Sequence, residues 1–420
     1  MNSLFEQTLK SISEIVRYDS SQTPPEEGMP FGRATAECLE YFLNLAKSFG
    51  FETVNYDNYV GEVIFGEGED FAVLAHLDVV PAGSGWTHAP FGGEIDYAAR
   101  RIWGRGTMDD KGPAVIALYC MKALKDEGFM PKKKIKLIVG CNEENGWECI
   151  KYYNTRARMP ETGFSPDADF PVIYAEKGIL QVRLSFPVPD GATFTGLRGG
   201  ERANMVCDYC EVACPYDADK AEKYGLSFER GLLCARGKSA HGSTPELGVN
   251  AIAPVLKYIG LDDMHAVLFG DNALRAFEDE TGKLTFSPDV IEEKDGVIEV
   301  VCDIRYPATF DRERVLRELD GFNVDYEILH EQAPLYNDRQ CRLIQTLCGV
   351  YNEVTGKHMR PVAIGGGTYA RALKCGAAFG PEEEGEESTI HKPDEYITFE
   401  KIEKCLKIYK LALRRLTDGL

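Results

Sequence analysis

Apolar residues at Leu4, Phe5, Leu9, Ile12, Ile15 and Val16 recur at the spacing of an amphipathic helix. A second helix is predicted near Ala34 to Phe49, after the loop SSQTPPEEGMPFG. The pattern then shortens to β-like runs, FETVNY, GEVIFG and FAVLAHLD. The last run is apolar almost throughout until His76 and Asp78, as expected of a buried strand whose end delivers polar side chains. Residues 112–128 read as helix, KKIKLIVGCNEE as another buried strand and PVIYAEKG as a third. This is an α/β pattern, and in open α/β sheets the site lies at the carboxyl ends of the strands.

Past about Leu180 the texture changes. LQVRLSF, NMVCDYCEVAC, GLLCARG, KLTFSP, VIEVVCDIRYP and VDYEILH alternate apolar and polar residues, which fits antiparallel strands. Helices are predicted between them, near Asn250–Leu261 and Asp311–Leu319. Residues 181–340 are therefore expected to form a separate α+β domain inserted into the first. From Cys341 the chain returns to helix, passes a Gly-rich turn and ends in a helix from Phe399 to Leu416. A length of 420 residues fits two or three domains and a core that needs no disulfide staples.

Charge and cysteine content narrow the partners. The 67 acidic against 47 basic residues leave a formal charge of -20, which disfavours nucleic acid and anionic membranes as partners. No apolar run is long enough to span a bilayer, and the amphipathic start lacks the greasy core of a signal peptide. Thirteen scattered cysteines, an odd number, point to reduced thiols and a cytoplasmic location. Cys207, Cys210 and Cys214 imitate part of an iron–sulfur ligand run, but Asn204 stands where the first cysteine would be. They read as small thiols in a sheet.

Five short segments carry candidate chemistry. His76 and Asp78 share one side of a strand end, where a carboxylate can hold the second ring nitrogen of a ligating imidazole. Asp109 and Asp110 in GRGTMDDKG precede a helix, and helix capping is their plain explanation. Glu143 and Glu144 close a buried strand, where paired acids are costly unless they meet cations. Asp167 in SPDADFP and His391 in HKPDE would singly pass for turn residues. Together, His76, Asp109, Glu144, Asp167 and His391 form a mixed nitrogen and oxygen set. It suits two divalent ions, zinc first, with manganese or cobalt as alternatives. Two such ions about 3.5–4 Å apart can polarise a carbonyl and sharpen a water nucleophile.

The ordered series HLDVVPAGSGW, GRGTMDDKGP, NEENGW, SPDADFPVIYAEKG, GKSAHGSTPELGVNA, DIRYP, GGGTYAR and HKPDE resembles the M20 metallopeptidases, and within them the PepV-type dipeptidases. The resemblance implies a catalytic α/β/α domain with a mixed sheet (1–180 and 341–420) and an inserted α+β lid domain (181–340). It implies that His76 and Asp167 hold one ion, Glu144 and His391 the other, with Asp109 bridging. Asp78 would orient His76. Glu143 would be the base that activates a bridging water and then passes the proton to the leaving amine. Lid residue His241 would donate to the oxyanion, and Asn204 would approach the substrate. Arg305, with the backbone of Gly365, Gly366, Gly367 and Thr368, would grip the substrate carboxylate. The implied reaction is hydrolysis of dipeptides, or of short peptides from the N-terminal end. Deacylation of N-acyl amino acids, a carnosinase-like activity and a non-catalytic binding role are the alternatives. A long lid supplying His241 from the same chain implies a monomer. His88, His265, His330 and His358 match no motif and are expected to be surface or packing residues.

Overall fold

The apolar run that ends at His76 forms the strand Glu69–His76, buried over its last six residues. It lies between Lys133–Gly140 and Thr162–Ser165, parallel to both. Cys375–Ala378 continues the parallel order beside Thr162–Ser165. On one side the sheet ends in Val60–Phe65 and Glu52–Tyr56, both antiparallel. Beyond Ala378, Ile173 pairs antiparallel. The sheet is thus mixed, with a parallel centre. Strands this apolar must be covered, and helices do so. Lys111–Asp126 packs on the two central strands and against both Ser3–Val16 and Phe399–Thr417, while Arg33–Ser48 covers the antiparallel end.

The computed structural model describes residues 3–418. The chain divides into two compact units. The first comprises Met1–Tyr174, Asn337–Val362 and Thr368–Leu420; the second comprises Ala175–Tyr336 and Ala363–Gly367. The change of texture read near residues 181 and 341 lies within a few residues of the main divide. The short return 363–367 carries no such signal: it joins the second unit through Lys177, whose N–H donates to the Ile364 carbonyl at 3.0 Å.

The second unit is built on an eight-stranded antiparallel sheet. Its long strands Gly178–Pro187 and Val297–Tyr306 alternate buried and partly exposed residues over much of their length. Their inward side chains join one apolar core with the helical residues Ile252, Leu256, Leu268 and Leu319. The helix expected near Asn250–Leu261 is Ile252–Ile259, closed by Gly260 in the left-handed conformation (φ 80°), and a further helix, Asp262–Phe269, follows it. Of the run NMVCDYCEVAC only Tyr209–Ala213 is strand; Cys207 and Cys210 are buried in the core, as small apolar thiols usually are. Among the described residues, no helix is long and apolar enough to cross a membrane.

Candidate active site

The parallel centre of the first unit explains how distant residues meet. His76 ends its strand opposite Gly140. Glu143 and Glu144 follow Gly140, and Asp167 follows Ser165 on the neighbouring strand. Asp109 and Asp110 lie directly before the helix Lys111–Asp126. His391 lies in the loop before Tyr396–Thr398.

All five proposed ligands converge. Asp109 is central: Oδ1 lies 2.8 Å from Nε2 of His76 and Oδ2 lies 2.9 Å from Nε2 of His391. Asp167 Oδ2 is 3.6 Å from the same His76 nitrogen, and Glu144 Oε1 is 3.1 Å from that of His391. One ligand atom each from His76, Asp109 and Glu144 lie within 4.8 Å of one another. Nε2 of His76 is buried and, despite its close oxygens, has no partner aligned for a hydrogen bond. Crowded but unaligned donors of mixed imidazole and carboxylate chemistry are what a divalent cation requires, so the residues fit the metal set read from the sequence.

Hydrogen bonds around the ligands fix their orientation. Asp78 acts on His76 through its main-chain carbonyl, 3.0 Å from Nδ1; its carboxylate lies 3.6 Å away. That carboxylate accepts instead from the backbone N–H groups of Glu143 (3.0 Å) and Glu144 (3.1 Å). It therefore holds the turn that presents both glutamates. Trp147 donates from Nε1 to Oε1 of Glu143 at 3.1 Å. Asp110 makes no helix-capping bond with its side chain; it accepts from the backbone N–H of His76 at 3.1 Å.

The electrostatics follow from so much buried acid. Burial raises the carboxyl pKa values of Glu143, Glu144 and Asp167, and neighbouring carboxylates add to it. Burial opposes charge on His391 also, but Asp109 and Glu144 outweigh it and push the imidazole up to about 11. His76 is raised in the same way by Asp109, Asp167 and Asp78 against its own burial. Asp109, also buried, is nevertheless held well below the usual carboxylate range by the two imidazoles. So many carboxylates around two imidazoles favour positive charge at this cluster.

The second unit holds another cluster. Gly242 N–H donates to the Asn204 carbonyl at 2.7 Å, and Met205 pairs with His241 in an isolated antiparallel bridge. Nδ1 of His241 accepts from the Ser243 N–H at 3.2 Å, so the neutral ring carries its proton on Nε2. Arg305 is nearly buried and already engaged. Its Nε and Nη2 meet Asp303 at 2.5 and 2.9 Å, and Nη1 donates to the Gly365 carbonyl at 3.2 Å. Gly365 is required there, because a Cβ would come within 2.7 Å of the Ser243 side chain. Gly366 and Gly367 share this short segment. Thr368 belongs to the first unit, where its hydroxyl caps Tyr369–Ala372.

Sequence reasoning missed the contacts of Asp110 and Trp147 just described, and those of Glu395, whose buried carboxylate accepts from the Gly106 and Met108 N–H groups and from Arg105. All three lie inside segments already marked, DDKG, NEENGW and HKPDE, but their hydrogen-bond partners are distant in sequence or invisible to spacing.

Comparison with known proteins agrees with this architecture. Residues 72–415 match the model of peptidase family M20/M25/M40. YtjP of Bacillus subtilis (strain 168) is 34% identical over 455 aligned positions, covering 98% of this chain and 97% of that protein. The Beta-Ala-Xaa dipeptidase of Lactobacillus delbrueckii subsp. lactis is 32% identical, covering 97% and 96% respectively. Human carnosine dipeptidase 1 shares the fold with a TM-score of 0.61 at 12% identity, covering 98% of this chain and 96% of the human one. A family match over most of the chain, together with relatives aligned nearly end to end, makes this chain a member of peptidase family M20/M25/M40.

Proposed function

We propose that the chain is a metal-dependent dipeptidase that uses Glu143 as its general base and two divalent ions, zinc first among the candidates. The observation that carries this is the position of Asp109, each of whose oxygens touches a different imidazole. A carboxylate so placed can bridge two cations, with His76 and Asp167 on one side and His391 and Glu144 on the other. The relative named Beta-Ala-Xaa dipeptidase, aligned nearly end to end with this chain, supports the substrate class.

Bound divalent ions would supply the positive charge that polarises the scissile carbonyl and eases deprotonation of water. The protein's own residues do the rest. Trp147 fixes one oxygen of Glu143, so the carboxylate is already oriented to take a proton from the attacking water and pass it to the leaving amine. His241, protonated on Nε2, is the donor for the developing oxyanion. Asn204 and the 365–368 backbone bind the substrate, and Arg305 supplies charge for its carboxylate. One chain holds every residue of this set, which fits an active monomer; light scattering coupled to activity checks it.

The deciding experiment is dipeptide hydrolysis before and after dialysis against a chelator, with metal analysis. Activity should vanish with the metal and return as two equivalents of Zn2+, Mn2+ or Co2+ are restored. Hydrolysis indifferent to chelation would overturn the reading, as would a panel in which only N-acyl amino acids are cleaved.

A further inference from the structure

We propose that Glu395, aided by Asp394, is a positioning residue: a buried brace that sets the separation of Asp109 and His391. The inference rests on the reading of those two residues as metal ligands. Glu395 is 0% exposed. Its Oε1 accepts from three backbone N–H groups, those of Gly106 (3.0 Å), Met108 (2.9 Å) and Asp109 (3.4 Å). Its Oε2 accepts from Nη1 of Arg105 at 2.7 Å. Its own carbonyl accepts from the N–H of Gly104 at 2.8 Å. One residue thus gathers nearly the whole 104–109 loop around itself. Gly106 permits the wrap because its φ of +88° is a conformation that side chains resist.

Asp394 ties the other side of the same segment. Its Oδ1 accepts from the N–H groups of Thr87 (2.8 Å) and His88 (3.0 Å), and its Oδ2 from the Thr87 hydroxyl at 2.8 Å. The loop that carries His391 is therefore closed onto two others a few residues downstream of the imidazole. At the open end, Nε2 of His391 stands 2.9 Å from Oδ2 of Asp109. A ligand pair must keep its geometry within about 0.5 Å to hold its ion well. Through Glu395, the segment 391–395 is bonded to the N–H of Asp109 itself, a short covalent and hydrogen-bonded link between the two ligands that needs no ion. A buried ion pair such as Arg105–Glu395 adds little net stability over apolar residues of the same size. Geometry at the ligands is the better account of a carboxylate whose two oxygens are both committed to this loop.

The test uses full-length protein with Glu395→Gln and, separately, Asp394→Ala. Three quantities are read: the melting temperature of metal-free protein, Co2+ affinity by competition with a chelator, and the visible spectrum of the Co2+ form. The Gln variant keeps the size and one acceptor. It should bind Co2+ about 10- to 100-fold more weakly, the usual cost of losing an outer partner of a ligand, with an altered spectrum. Asp394→Ala, on a less buried side chain, should fold and show a smaller change of the same kind. A folded Gln variant with wild-type Co2+ affinity and spectrum overturns the brace, whatever its melting temperature. If the Gln variant does not fold, unchanged Co2+ binding in Asp394→Ala overturns it. Wild-type protein that binds no Co2+ at all would refute the ligand reading itself, and the brace with it.

Discussion

His76 and His241 are set in opposite surroundings. His76 is fully buried, meets three carboxylates, and has its pKa raised by them in spite of burial. His241 is exposed at its edge, and partial desolvation together with the charge of Arg305 lowers its pKa. The first ring belongs to a site that holds positive charge; the second stays neutral and offers one N–H. The same contrast runs through the clusters around them. In the first unit, side chains are locked by strand ends and by bonds to distant backbone. In the second, the residues hang together mainly through main-chain links, and the one strong charge, Arg305, is already paired with Asp303. The proposed metal ligands are already gathered around Asp109, whereas Arg305, proposed to grip the substrate, would have to exchange some of its bonds to Asp303 for it.

The sharpest way to break this contrast is Asp109→Asn. With the bridge lost, metal affinity should fall by more than the roughly 100-fold that an outer partner costs, and turnover should disappear. Chelator competition and a hydrolysis assay measure both; two equivalents of tightly held metal in the variant would contradict the central place given to Asp109. Glu143→Ala should separate chemistry from binding. A fall in kcat of about 10²–10⁴-fold is expected with metal content intact, and normal turnover would remove Glu143 as the base. On the other unit, His241→Ala should cost about 10²–10³-fold in kcat, the typical loss of one oxyanion donor, again without loss of metal. A variant that instead sheds its metal would place His241 among the ligands.

The smallest effect concerns stability against pH, and its sign differs between the units. Burial, reinforced by Asp303, pushes Asp289 in the second unit up to about 8 from an ordinary value of 3.8. Its ionisation therefore opposes folding, so its contribution is whole below about pH 3.8 and is lost as pH rises towards 8. In the first unit burial opposes the charge on Glu383, but Lys357, Lys404 and Tyr351 outweigh it and bring the carboxyl to about 2. Its contribution is present above about pH 4.5 and lost as pH falls towards 2. Urea unfolding across pH should show Asp289→Asn gaining about 1–2 kcal/mol on wild type by pH 8, and Glu383→Gln losing a similar amount above pH 4.5. Parallel curves for either variant and wild type would remove that group from the account.

Much of the site was readable because its residues sit at marked places. His76 and Glu143–Glu144 end apolar runs, and an apolar run can tolerate acids and imidazoles only where the strand leaves the core. Asp78 shows the limit of such reading. Its spacing from His76 suggested a carboxylate on the ring, but the turn after Gly140 brings the Glu143 and Glu144 N–H groups to that carboxylate and leaves the ring to the main-chain carbonyl. Arg305 is similar: the segment DIRYP shows an arginine two residues from an aspartate on one strand, but not that they pair bidentately and that the remaining nitrogen meets Gly365.

Periodicity and residue chemistry were enough for an α/β class, for a change to antiparallel texture near residue 180, and for a set of imidazoles and carboxylates that the fold brings together, because each depends on local pattern or on donor type. Which oxygen of Asp109 faces which imidazole, which carbonyl holds His76, and how Glu395 gathers the 104–109 loop depend on contacts between segments up to some three hundred residues apart. Such contacts exist only after the chain has packed, and no linear spacing encodes their angles.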